Sequence, residues 1–129
     1  MKNNLLLTIT SLLTMLLFSL HWADDVVRGF APGGMSGLGG VLIMVVWLYG
    51  TLVLGDRRSG HIINLLGSMS APGVLALHMS GAGLVGGRIT HSSGILFWVW
   101  TLLALGITGT FSALLAARGL SNMQRGQSG

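Results

Sequence analysis

The sequence predicts an all-α integral membrane protein: a four-helix up-and-down bundle in a single transmembrane domain, with both termini cytoplasmic (N-in/C-in). Three observations lead there. First, 51% of the 129 residues are hydrophobic and only 8% are charged, whereas about a quarter of a soluble domain is charged. Second, the ten charged residues (Lys2, Asp24, Asp25, Arg28, Asp56, Arg57, Arg58, Arg88, Arg118 and Arg125) leave uncharged runs at 3–23, 29–55, 59–87 and 89–117. A helix crosses a bilayer with roughly 20 apolar residues, so each run suffices for one crossing. Third, with the N-terminus inside, five basic residues (Lys2, Arg57, Arg58, Arg118 and Arg125) fall on the cytoplasmic side and two (Arg28 and Arg88) outside, the sign expected of a positive-inside protein. Seven basic residues scattered over short connections make no track for nucleic acid. The absence of cysteine removes disulfides, thiolate metal sites and cysteine nucleophiles.

The first span is expected at about 4–22. Residues Met1 to Ala23 also resemble a signal peptide, with Lys2 ahead of an apolar core and Ala23 as the small residue, but the core is long and His21 and Trp22 fit a cleavage site poorly. As a retained helix it places Thr10, Thr14, Leu17, His21 and Asp24 on one face. An outer loop follows from Asp24 to Gly37, with room for a helical extension through Val26 and Val27 before Pro32, Gly33 and Gly34 stop it. The second span, about 38–54, carries Trp47 and Tyr49 as packing residues. Gly55 to Gly60, with Asp56, Arg57 and Arg58, then makes a tight turn into an antiparallel third span.

That third span, about 61–81, carries the most information. Asn64, Gly67, Ala71, Val74, His78 and Gly81 recur at steps of three and four, which lines them along one helix face. Small residues there admit a neighbouring backbone, and Asn or His can hydrogen-bond across. Pro72 frees the carbonyl of Ser68, which another group must satisfy. A glycine-rich outer loop with Arg88, His91, Ser92 and Ser93 leads to the fourth span, about 94–117. No strand precedes these glycines and no Lys-Ser/Thr pair follows, so they form no phosphate cradle. Phe97, Trp98 and Trp100 suit an interfacial belt. Gly106, Gly109, Ala113 and Ala117 form a second small-residue seam, the expected mate of the third-span stripe, ahead of a polar cytoplasmic tail at 118–129.

Three functional readings follow. The residues favour a small multi-pass protein of the inner membrane, surrounded by lipid bilayer and acting through helix contacts at Asn64, Gly67, Ala71, Gly106, Gly109 and Ala113, as a homo-oligomer or as accessory subunit to another membrane protein. It needs no cofactor. The first alternative rests on the outer side, where the topology gathers three histidines and two aspartates: His21, Asp24, His78 and His91 would bind a divalent metal, or His21 and His78 a haem iron. His61 stands alone on the inner side. The second alternative is a small channel or transporter along the Asn64 stripe, although the chain has no Glu and, with these boundaries, no Asp within a span. Gly-x-Ser-x-Gly, His-Glu-x-x-His and paired catalytic carboxylates are all missing, so nothing supports an enzyme.

Overall fold

The computed structural model describes residues 2–31, 33–80 and 92–126. Among the described residues the fold has four α-helices: α1 (Lys2–Val27), α2 (Leu38–Leu52, entered through one 3-10 turn at Met35–Gly37), α3 (Arg58–Ser80) and α4 (Ile95–Gln124). Among the described residues there is no strand. All four helical segments are long and apolar enough to cross a membrane.

Burial is inverted relative to a water-soluble bundle. Leu6, Ile9, Leu13, Leu16 and Leu20 of α1 and Leu42, Ile43, Val45 and Val46 of α2 are exposed, while Ser11, Thr14, His21, Asn64, Ser68, Thr101 and Ser112 are buried. Water would penalise so large an apolar surface, and hydrocarbon would penalise unpaired hydroxyls, so this distribution suits lipid surroundings. The hydroxyls are accordingly satisfied within the protein. Thr8, Thr14, Ser19 and Thr110 each donate to the carbonyl four residues back. Ser11 and Ser68 both meet the hydroxyl of Ser112 at 2.8 Å, which joins α1, α3 and α4 at mid-height.

Side-chain pairs define how the helices run. Ser11 with Ser112, His21 with Thr101 and Asp25 with Trp98 set α1 antiparallel to α4. Trp47 and Thr51 both donate to the Asn64 amide oxygen, and the Asn64 amide nitrogen donates to the Gly60 carbonyl. Asn64 is thus a clip between α2 and α3. Asn4 reaches Asp56 in the α2–α3 turn, and Gly119 of α4 lies against the His61 ring, so these three regions share one end of the bundle.

The small residues divide their work. Gly109 meets the Ala71 side chain, the Ser68 carbonyl that Pro72 leaves without a helical donor, and Thr14. Gly106 receives Leu75, whereas Gly67 receives the indole of Trp47. Ala113 is buried on the same side of α4 as Gly109. The α3 stripe expected to form one contact face is therefore split, with Asn64 and Gly67 turned to α2 and Ala71 to α4.

Two helices outrun the expected spans. α1 continues past residue 22 through Asp24 and Asp25, ending where Gly29 takes a positive φ of 76°. There the Phe30 amide reaches the Asp25 carbonyl and the Gly29 amide the Val26 carbonyl, closing the helix with a glycine C-cap. Asp24 and Asp25 thus lie on α1 itself, in the extension through Val26 and Val27 for which the sequence had room. α4 likewise continues through the polar segment from 118 to Gln124, because no proline interrupts it before Gly126 turns to positive φ.

Candidate metal centre

On α1, Leu7, Ser11, Thr14, His21 and Asp25 all face inward. His21 and Asp25 are one turn apart, so their side chains lie one above the other on the buried face. His78, near the end of α3, approaches both. The Nε2 atoms of His21 and His78 are 3.5 Å apart, Asp25 Oδ2 lies 3.7 Å from the first and 3.3 Å from the second, and the same three atoms make all three contacts.

Each member is oriented from behind. Trp98 donates its indole N–H to Asp25 Oδ1 at 2.7 Å, which turns Oδ2 towards the histidines. Thr101 Oγ1 lies 3.0 Å from His21 Nδ1. Thr101 Oγ1 is also within donating distance of the carbonyls of Phe97 and Trp98, and with its proton there the oxygen accepts from His21 Nδ1–H. Neutral His21 then presents a bare lone pair at Nε2, facing the lone pairs of Asp25 Oδ2. A neutral imidazole N–H on His78 Nε2 would bond to either acceptor, and a metal ion would bind all three atoms. The Trp98 ring packs edge-on to His78 at a centroid separation of 4.9 Å and closes the cluster's inner side.

Two of the four residues singled out in the sequence as metal ligands meet at this point, joined by Asp25. His21 and His78 come together. Asp24 does not join them: Arg28, four residues on, holds it at 2.8 Å and also donates to the Ser92 hydroxyl and the Ser93 carbonyl, fastening the end of α1 to the start of α4. Asp25 instead meets the two histidines. His91 lies outside the described residues. For the haem alternative, the Nε2 atoms of His21 and His78 lie 3.5 Å apart, with Asp25 Oδ2 and the Trp98 ring packed beside them. His61, at the opposite end, is 2% exposed, and neither ring nitrogen has a hydrogen-bond partner among the described residues.

Trp98 and Thr101 were not legible as site residues. Trp98 reads as a member of the aromatic belt, yet it is fully buried while its neighbours Phe97 and Trp100 are exposed. The available signal was periodicity: Trp98, Thr101 and Leu105 recur at three and four along α4, the face that also carries Ser112.

No family model, no curated protein and no solved structure matches the chain. Fold and site together define an all-helical protein of membrane type, with a cluster of two histidines and one carboxylate inside one end of its bundle.

Proposed function

We propose that this protein is a multi-pass membrane protein that binds one divalent transition-metal ion, best matched by Zn²⁺, through His21, Asp25 and His78. Both termini face the cytoplasm, which sets the site in the outer half of the inner membrane's thickness, in keeping with the five basic residues on the opposite side. The carrying observation is the triangle of 3.3, 3.5 and 3.7 Å formed by three ligand atoms. A tetrahedral ion with bonds of about 2.0–2.2 Å holds its ligand atoms roughly 3.3–3.6 Å apart. Two imidazoles with one carboxylate favour zinc and its neighbours over Mg²⁺ or Ca²⁺, which prefer all-oxygen shells. The partners of Asp25 and His21 are of the kind that orient metal ligands.

Action purely through contacts with a second copy or another membrane protein has less support. Gly67, Gly106 and Gly109, the residues suited to such contacts, are already filled by Trp47, Leu75 and Ala71 of the same chain. A channel along Asn64 is also less favoured, since both its amide oxygen and its amide nitrogen are bonded within the chain.

The test is zinc content. Protein purified in mild detergent, dialysed against buffered Zn²⁺ and passed through gel filtration is expected to retain one equivalent per chain. Retention of none by monodisperse protein would withdraw the proposal.

A further inference from the structure

Three protein ligands leave a tetrahedral ion one position short, the arrangement of zinc sites that react or exchange rather than merely brace a fold. Beside the His21–Asp25–His78 triangle lies a cavity of about 60 Å³ lined by Phe18, His21, Trp22, Asp25, Val74 and Leu105. Two of the three ligand residues thus form part of its wall, and the rest of the lining is hydrocarbon or indole. The volume exceeds the roughly 10–15 Å³ that one water needs, yet is far below that of a drug-sized ligand, so it admits a few heavy atoms.

Charge narrows the occupant. A divalent ion held by two neutral imidazoles and one carboxylate keeps one surplus positive charge in apolar surroundings, where an unmatched charge is costly. The nearby Arg28 and Asp24 neutralise each other and leave that surplus untouched. We infer that the fourth ligand is a small monoanion seated in this cavity: hydroxide formed from a bound water, exchangeable for another anion of two or three heavy atoms. The inference rests on the metal reading above and adds that the site is open. The ion lowers the bound water's affinity for its proton, the released proton goes to solvent, and no redox step is involved.

Cobalt(II) in place of zinc makes the site visible. The Co²⁺-loaded protein is expected to show the intense visible bands of a four-coordinate ion, and excess sodium azide is expected to shift them saturably. Val74→Leu and Val74→Phe add bulk on the cavity wall while leaving all three ligands, so they should keep the cobalt bands and weaken azide in order of size, by about tenfold or more for the larger. Bands that ignore azide would overturn the open position while leaving the metal reading intact. An azide response of equal strength in all three proteins would overturn the assignment to this cavity. Failure of the unaltered protein to bind cobalt would remove the metal reading itself.

Discussion

Replacing His78 with alanine is expected to lower the affinity for Zn²⁺ by at least about a hundredfold while leaving the bundle folded, read by competition with a chromophoric chelator. Removing even a group that only orients a metal ligand costs about 10–100-fold, and loss of a ligand should reach the top of that range or pass it. Of the three ligands, His78 is the cleanest to remove. Its side chain is 23% exposed against 2% for His21, and it is the sole ligand from α3. His21→Ala would also strand Thr101 and open space in the core, confounding affinity with stability. Trp98→Phe should fall between wild type and His78→Ala, because it keeps the ring against His78 and deletes only the N–H that orients Asp25. Equal affinities in wild type and His78→Ala would place any bound zinc elsewhere.

Gly109→Leu is expected to cause a large loss of stability. A Cβ there meets the Ala71 side chain and the Ser68 carbonyl on α3 and Thr14 on α1. Neither neighbour can retreat easily, since the Ser11–Ser112–Ser68 hydroxyl chain ties all three helices close by. Overpacking of a fixed core costs about 1–3 kcal/mol, and contact with the Ser68 carbonyl of α3 and with side chains of two helices puts this case near the upper value. Gly39→Leu is the control. Nothing lies within 4 Å of its Cβ position, so it should cost only about the few tenths typical of surface changes. Thermal unfolding of the two variants in one detergent decides the matter, and comparable midpoints would contradict the packing described for α3 and α4.

The four apolar helices were legible because long uncharged runs are a property that the sequence carries directly. Their ends were less so. The extension through Val26 and Val27 was readable beyond Asp24 and Asp25, but its stop was placed at Pro32 to Gly34, whereas the backbone turns at Gly29. The same difference hid the site. His21 and His78 were visible as polar rings near one end of apolar runs. Choosing between adjacent aspartates required noticing that Arg28 stands one turn after Asp24 and so removes it from competition. Trp98 could not be told from Phe97 and Trp100 by residue type, since all three suit an interface and only the rotation of α4 selects which one turns inward. Gly67 was readable as a place of close approach, but its neighbour was not, because a lone glycine does not reveal which helix fills it.

The most direct measurement is zinc K-edge X-ray absorption on the metal-loaded protein in detergent. Closure of His21, Asp25 and His78 around the ion predicts four nitrogen or oxygen neighbours at about 2.0–2.1 Å, with the outer-shell scattering of two imidazole rings that falls to one in His78→Ala. A six-coordinate shell of oxygens without imidazole scattering, unchanged by that substitution, would contradict it.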